Sequence, residues 1–370
     1  MIIKQSIAAA GSLFATMLLA GCSAVTFTNP LPSSIPIPAP DPGQLRAYHA
    51  YGDSITYGVT LADPATQAYP VLVSNYEGVP VANYGIPGAE ACDVPTTEIF
   101  ANADGPTLAS PTIYSVLIGT NDVDMKGTGA YEQVFILCHE ATLSWLGVPA
   151  EYKVLATNTT VTTAGAGAID PSDHWNAWTT AGIGSSVSFP ITTTKTGPIY
   201  LWPRIDDNNS STYSYSLDGV VLGKGSTQTT PAIATENRST NSLGFIRLAA
   251  VVPGRHVITF TQTSAGSNGV SVVGIGSPAG SQSGTMPTVL AGTIPYQLDT
   301  GKCTKSSDQP CQEYIQDIEA DVNLFSGDGL DVRLFDTRKF MYGTDAEMND
   351  SLHPNVFGQV ELSHAVEVAW

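Results

Sequence analysis

Apolar segments in this chain follow two different periodicities, and the change between them strongly constrains the fold. Up to about residue 155, apolar-aromatic runs alternate with helical stretches such as 130–146, which indicates βαβ units around a parallel sheet. Residues 157–285 are rich in Ser, Thr and Gly and carry short runs of alternating polarity, which predict a β-sandwich. The α/β pattern then returns. We therefore predict an α/β domain made of residues 46–156 and 286–370, interrupted by an inserted all-β sandwich domain at 157–285.

The tripeptide Gly52-Asp53-Ser54 directly follows the run 47–51, which predicts a strand. A serine that stands where a strand ends and a helix begins is exposed at the edge of an open α/β sheet, where nucleophiles occur. Taken alone, the tripeptide is equally typical of an ordinary turn. Three further blocks downstream favour the catalytic interpretation.

These three blocks follow in a fixed order. Residues 83–88 hold two glycines three positions apart, which allow a tight turn and a backbone N–H that faces a ligand. Residues 119–122 follow the buried-strand pattern of 112–118 and place an Asn side chain at the strand's carboxyl end. Residues 350–354 put an Asp and a His three positions apart, so that the carboxylate can hold the imidazole. A plain turn remains the alternative for each block considered singly.

Together the four blocks resemble the SGNH hydrolases, the GDSL-type esterase and lipase family. The resemblance covers 48–147 and 289–370 and implies a flavodoxin-like, three-layer α/β/α domain with a parallel sheet. It implies Ser54 as the nucleophile, His353 as general base and acid, and Asp350 as the residue that orients His353.

The same resemblance implies an oxyanion hole made of the backbone N–H groups of Ser54 and Gly88 and the side-chain amide of Asn121. Ser351 stands where relatives often carry Gly, a difference that leaves the chemistry unaffected.

The three residue types also suit nucleophilic catalysis when they are considered without the family resemblance. A serine hydroxyl needs a base, neutral histidine has the appropriate pKa, and a carboxylate fixes the histidine's tautomer.

Several other chemistries are excluded by missing motifs. The chain has no Gly-x-Ser-x-Gly elbow, no phosphate-binding Gly-x-x-x-x-Gly-Lys-Ser/Thr loop and no His-Glu-x-x-His. None of the remaining histidines has a partner at metal-ligand spacing, so we expect no metal and no cofactor. His364, in a predicted helix, is the rival for the base.

The first 21 residues predict a secretory signal, because Lys4 precedes an apolar run that is too short for a confident membrane span. The run ends at Cys22 in a sequence that resembles a bacterial lipobox, which implies a lipid anchor; an ordinary cleaved signal is the alternative. Residues 22–45 carry six prolines and predict a stiff tether. We expect an exported, membrane-anchored lipoprotein at the outer membrane, facing the periplasm or the surface.

Four cysteines remain after Cys22, which suggests two disulfides in an exported protein. Because Cys303 and Cys311 would close a short loop, the preferred pairing is Cys303–Cys311 with Cys92–Cys138. Two other connectivities and free thiols are the alternatives. A net charge of −18, from 33 acids and 15 bases, argues against nucleic acid as a partner.

The sequence favours a serine esterase that cleaves acetyl or other short-chain acyl esters, with an acylated glycan or a lipid as partner. Two alternatives stay open: an acyltransferase with the same triad, and a non-catalytic glycan-binding surface lipoprotein. Trp175, Trp178 and Trp202 in the insert are either a sugar-stacking platform or core aromatics.

Overall fold

The computed structural model describes residues 47–102, 105–109, 112–170, 175–229, 232–233, 240–266, 268–280, 284–298 and 301–370. The predicted signal peptide 1–21, the candidate anchor Cys22 and the tether 22–45 lie outside this part of the chain. Within it, no helix combines the length and the apolar character needed to cross a membrane.

The regular elements are numbered here in chain order. The α-helices are α1 (Ser54–Tyr57), α2 (Pro64–Gln67), α3 (Tyr69–Glu77), α4 (Ala130–Gly147), α5 (Gln309–Gly327) and α6 (Val356–Ala369). Short π-helical turns span Val94–Phe100 and Asp122–Lys126, and 3₁₀ turns span Ala150–Tyr152 and Thr337–Lys339. The strands are β1 (Ala47–Gly52), β2 (Val81–Asn83), β3 (Thr112–Leu117), β4 (Lys153–Leu155), β5 (Thr162–Ala164), β6 (Gly167–Ile169), β7 (Trp178–Thr180), β8 (Ser186–Thr193), β9 (Gly197–Asp206), β10 (Thr212–Leu217), β11 (Val220–Ser226), β12 (Asn241–Leu243), β13 (Ile246–Val251), β14 (Gly254–Ser264), β15 (Ser271–Gly276), β16 (Thr288–Gly292) and β17 (Asp331–Phe335).

A parallel sheet of five strands forms the centre of the α/β part, in the order β2-β1-β3-β16-β17. Counted within this sheet, the order is 2-1-3-4-5, which flavodoxin-like sheets share. β3 is central and buried along its whole length, as expected for a β-branched and aromatic strand covered on both faces. Because the strands are parallel, β1 and β3 end at the same edge of the sheet, and ligands bind at such edges.

Helices cover both faces of the parallel sheet. Successive side chains of a strand point to opposite faces. Ala50 and Ile113 accordingly belong to the apolar cluster that includes α3 and α6, while Tyr51 and Tyr114 belong to the cluster that includes α4 and α5. The sheet therefore has a separate core on each side.

The segment between α4 and β16 forms two antiparallel sheets. One has the order β11-β10-β14-β8-β5; the other has the order β12-β9-β15-β7-β6, with β13 also paired to β9 and β4 to β15. Inward-facing side chains of both sheets share one core, in which Phe189 and Phe260 from one sheet lie with Leu201 and Ile275 from the other. This segment is an all-β sandwich, in agreement with the predicted insert.

Two local features of the sandwich bear on the sequence expectations. The β10–β11 hairpin turns at Asp218-Gly219, whose φ angles of 51° and 84° are those of a type I′ turn. β4 pairs with β15, although the predicted domain boundary left β4 in the α/β part. The sandwich therefore begins a few residues earlier than predicted, because a three-residue strand is too short to show a period.

The larger sandwich sheet packs against the α4–α5 layer. Trp202 of β9 donates its indole N–H to Ser144 Oγ of α4 at 3.0 Å, and the Tyr200 hydroxyl donates to Asp328 Oδ2 at 2.8 Å just after α5. Both faces of β9 and opposite sides of α4 are therefore buried. The sandwich shares a continuous core with the α/β part.

Two disulfides are formed, and they are the pairs preferred from the sequence. Cys92–Cys138 joins residues 46 apart and ties the segment after β2 to α4; we call it the long-loop disulfide. Cys303–Cys311 joins residues 8 apart next to the start of α5; we call it the short-loop disulfide.

Candidate active site

The turn from β1 into α1 presents Ser54 at the carboxyl edge of the parallel sheet. Gly52 ends β1 with φ 148°, and a Cβ atom there would overlap the Leu117 carbonyl oxygen of β3. Asp53 then caps α1, because its Oδ1 accepts the N–H of Ile55 at 2.8 Å. The glycine and the cap together make the sharp turn that places Ser54 at the first position of the helix.

His353 reaches Ser54 from the other end of the chain. Its Nε2 lies 3.0 Å from Ser54 Oγ, and its Nδ1 lies 2.8 Å from Asp350 Oδ2. With the Nδ1 proton donated to the carboxylate, the Nε2 lone pair is free to accept the serine hydroxyl proton. The structure thus brings together the three side chains predicted as nucleophile, base and orienting acid.

Asp350 also shapes the turn that carries His353. Its Oδ1 accepts the backbone N–H groups of Leu352 at 2.8 Å and His353 at 2.6 Å. Partial burial raises the pKa of Asp350, but the hydrogen bonds from His353 and Leu352 outweigh it, so the pKa lies below its ordinary value of 3.8. Asp350 is therefore ionised at neutral pH and can hold an imidazolium.

The segment after β2 runs alongside the turn that carries Ser54. Asn83 donates its side-chain amide to the Thr56 carbonyl at 2.8 Å, and the Ile86 N–H bonds the Gly52 carbonyl at 2.8 Å. A Cβ atom on Gly85 would lie 2.6 Å from the Tyr57 nitrogen, so only glycine allows this approach. Gly88 follows with φ 79°, a conformation that glycine adopts readily.

Asn121 follows β3 at the same edge of the sheet and is mostly buried. One N–H of its amide donates to the Ala89 carbonyl at 2.8 Å, which links this strand end to the Gly88 segment. Among the described residues this is the only hydrogen bond of the side chain. The amide therefore borders the turn predicted to supply Gly88.

Two buried carboxyl groups beside the site were not found by sequence reasoning. Glu98 Oε2 accepts the Gly52 N–H at 2.8 Å from a π-helical turn, and no local motif announces this contact. Asp53 was quoted only as part of the block, yet burial raises its pKa to about 7. A buried amide was missed as well: Gln359 of α6 accepts the Tyr69 N–H at 2.8 Å and donates to the Ile55 carbonyl at 3.1 Å.

Other candidates from the sequence lie elsewhere. His364 lies 3.7 Å from Glu361 on α6 rather than against Ser54, so the structure gives the rival base no place in the site. Trp175, Trp178 and Trp202 are buried, which makes them core aromatics and excludes them as an exposed sugar platform. Among the residues described, no three His, Cys, Asp or Glu side chains are grouped so as to hold a metal ion.

Comparisons with known proteins give distant likenesses. No family model and no curated protein matches the chain. A two-domain esterase active on acetylated mannans, co-crystallized with mannopentaose, is 10% identical, with 65% of this chain and 92% of that chain covered and a TM-score of 0.35. A family 35 carbohydrate binding module from Clostridium thermocellum is 16% identical, with 33% of this chain and 95% of that chain covered and a TM-score of 0.25. At these TM-scores the likeness assigns neither family nor activity to this chain.

Proposed function

We propose that this chain is an SGNH-type serine hydrolase that cleaves carboxylic esters through an acyl-enzyme intermediate. The observation that carries the proposal is the hydrogen-bonded series from Asp350 through His353 to Ser54. It places the imidazole within hydrogen-bond reach of a serine 299 positions away, and an activated serine requires such a base. The four sequence blocks that resemble this family supply every residue of the series.

In the first step, Ser54 Oγ attacks the ester carbonyl carbon while its proton moves to His353 Nε2. The carbonyl oxygen becomes negative and accepts hydrogen bonds from the N–H groups of Ser54 and Gly88 and from the Asn121 amide. Each such donor lowers the barrier by about 3–4 kcal/mol in comparable sites. Asp350 stabilises the imidazolium that forms.

In the second step, the bond from the carbonyl carbon to the alcohol oxygen breaks, and His353 gives its proton to that oxygen. The alcohol leaves and the acyl group stays on Ser54. Water then attacks the acyl carbon, gives its proton to His353, and releases the acid as Ser54 recovers its proton. One histidine therefore serves as base and as acid in each half of the reaction.

For the substrate, we propose an acetyl or other short-chain acyl ester carried by a carbohydrate. The predicted export and the all-β insert support this choice. We further propose that Cys22 carries a lipid anchor that holds the enzyme at a membrane. Metabolic labelling with a clickable fatty acid tests the anchor, because Cys22→Ala should abolish the label without changing ester turnover.

The function is tested by a hydrolysis panel of aryl esters from acetate to octanoate, acetylated glycans and lipid esters. We expect turnover by the mature protein and a loss of at least about 10³-fold in Ser54→Ala. The matched control is Ser363→Ala, which removes a buried hydroxyl of α6 whose partners, the Val360 carbonyl and the Glu367 side chain, lie on the same helix. A fluorophosphonate probe should label the wild type and the control but not Ser54→Ala. If the wild type neither turns over any ester nor takes up the probe, the proposal is wrong.

A further inference from the structure

The loop Gly88–Val94, here called the oxyanion loop, is held by the α/β part and also by the inserted sandwich. Within the α/β part it is bonded by Asn121, which binds the Ala89 carbonyl, and by Asp122, whose carboxylate accepts the Ala91 N–H at 3.1 Å. The long-loop disulfide also ties Cys92 of this loop to α4. Two further connections reach the inserted sandwich. The inference drawn from them rests on the proposed function, since it concerns the same oxyanion hole.

Lys126 forms the first connection. Its side chain is 9% exposed, and its Nζ lies 2.7 Å from Glu90 Oε2 of the oxyanion loop. The same Nζ donates at 2.6 Å to the carbonyl of Ile233, which lies between β11 and β12 of the sandwich. Ile233 is itself fixed, because its N–H bonds Asp207 Oδ1 at 2.7 Å. One ammonium group therefore joins the oxyanion loop to the insert.

Ser242 forms the second connection. It lies on β12 of the sandwich, is fully buried, and donates its hydroxyl to the Cys92 carbonyl of the oxyanion loop at 2.7 Å. The long-loop disulfide attaches the same residue to α4. Cys92 is thus held from two sides, one of which is the insert.

The carboxyl groups around Lys126 require a cation at this position. Glu90 is nearly fully buried, and its Oε1 has no hydrogen-bond partner among the described residues, so Lys126 is the cation that balances it. Asp122 is buried nearby, and burial, followed by the charge of Glu90, raises its pKa. Without Lys126 the two buried carboxyl groups would lie near each other with no compensating cation, which favours displacement of the loop or protonation of a carboxyl group.

We propose that the inserted sandwich is a working part of the active site and that Lys126 and Ser242 are the positioning residues through which it fixes the Gly88 N–H. An oxyanion donor acts only where the charge develops, and a misplacement of about 1 Å can cost about 10²-fold in rate. The sandwich therefore determines kcat even for an ester too small to touch it. A detachable substrate-binding module would instead affect only large substrates.

The test compares Lys126→Met, Lys126→Arg and Ser242→Ala on 4-nitrophenyl acetate. We expect Lys126→Met and Ser242→Ala to lower kcat by about tenfold to 10²-fold with KM changed by less than about threefold. Lys126→Arg keeps the cation and its donors and should recover most of the loss. Hydrogen exchange of the oxyanion loop should become faster in the two impaired variants.

Two matched controls separate positioning from general destabilisation. Lys153→Met removes a buried lysine that lies 4.2 Å from the Trp145 ring centroid, and Ser271→Ala removes a sandwich hydroxyl bonded to Thr179 at 2.7 Å. These contacts lead to Trp145 and Thr179 rather than to the oxyanion loop, so both variants should keep kcat and the exchange rate of the loop.

Unchanged kcat and unchanged loop exchange in Ser242→Ala and Lys126→Met would overturn the inference, as would equal losses in the two controls. Failure of the proposed function gives a different result. The wild type would then lack turnover, while loop exchange would still show whether the insert holds the loop.

Discussion

Replacement of Asp350 by Asn separates the two tasks of this carboxylate. The Asn carbonyl oxygen can still accept the backbone N–H groups that Asp350 Oδ1 binds at 2.8 and 2.6 Å, so the turn should keep its shape. The amide nitrogen, however, would stand where Oδ2 accepts the proton of His353 Nδ1 at 2.8 Å. Because two donors cannot face each other, the imidazole would hold its proton on Nε2 and could not accept one from Ser54.

The solvent exposure of Asp350 determines how much kcat should fall in Asp350→Asn. Replacing a buried triad aspartate by asparagine lowers kcat by about 10⁴-fold. The Asp350 side chain is 45% exposed, so water can take over part of its role, and we expect a loss of about 10³-fold. KM and the melting temperature should change little. Asp350→Ala also removes the acceptor for the turn and should destabilise the protein by about 1–2 kcal/mol.

The chain contains a matched control for this experiment. Asp218 in the sandwich binds His256 Nδ1 at 2.8 Å and the Val257 N–H at 2.8 Å, which repeats the arrangement away from Ser54. Asp218→Asn should leave kcat unchanged. The assay is initial-rate kinetics on 4-nitrophenyl acetate, with thermal melting of each variant. An Asp350→Asn enzyme that retains more than a tenth of the wild-type kcat would refute the orienting role.

Three further predictions concern stability. Gln359→Leu removes the buried amide that joins α6 to α1 and α3, and urea unfolding should show a free energy of unfolding lower by about 1–3 kcal/mol. No measurable decrease would mean that water replaces both hydrogen bonds. Burial raises the pKa of Asp53 to about 7, so the folded state keeps a proton that the unfolded state loses near pH 4, and the free energy of unfolding falls as the pH rises from about 4 to 7. Asp53→Asn should flatten that part of a plot of urea midpoint against pH, and an unchanged slope would contradict the raised pKa. Replacing the cysteines by serine should lower the free energy of unfolding by about 4 kcal/mol for the long-loop disulfide and by about 2.5 kcal/mol for the short-loop disulfide, because closing a loop of 46 residues removes more unfolded-state entropy than closing one of 8. The reverse order in denaturant titrations would contradict this prediction.

The sequence predicted the local features of the fold well. The alternation of apolar strands with helices indicated a parallel sheet, and the structure has one, with the observed strand order added by tertiary pairing. Composition and alternating polarity indicated a β-rich insert, which the structure forms as two packed sheets. Such features are readable because side-chain periodicity and turn chemistry depend on residues that are close along the chain. The short strand β4 was missed for the same reason, since three residues carry no period.

The sequence also named the side chains that meet at the site, because the four blocks taken together resemble one hydrolase family, although each block alone is also typical of a turn. Tertiary structure alone decided what holds them. Glu98 supports Gly52, Gln359 supports the start of α1, and Lys126 connects the oxyanion loop to the sandwich. These residues are ordinary in their own surroundings, and their partners lie between 46 and 304 positions away.

For the inserted sandwich as well, the sequence indicated the type of structure and tertiary packing decided which side chains are buried. Composition indicated a separate all-β segment with tryptophans that could have faced a ligand, whereas the folded chain buries Trp175, Trp178 and Trp202. Burial is decided by which surfaces meet, and the second face of β9 is covered only because α4 and α5 pack against it. The residue types therefore indicated the candidate chemistry of the site. The positions of its side chains depend on contacts that form only when segments distant in the sequence pack together.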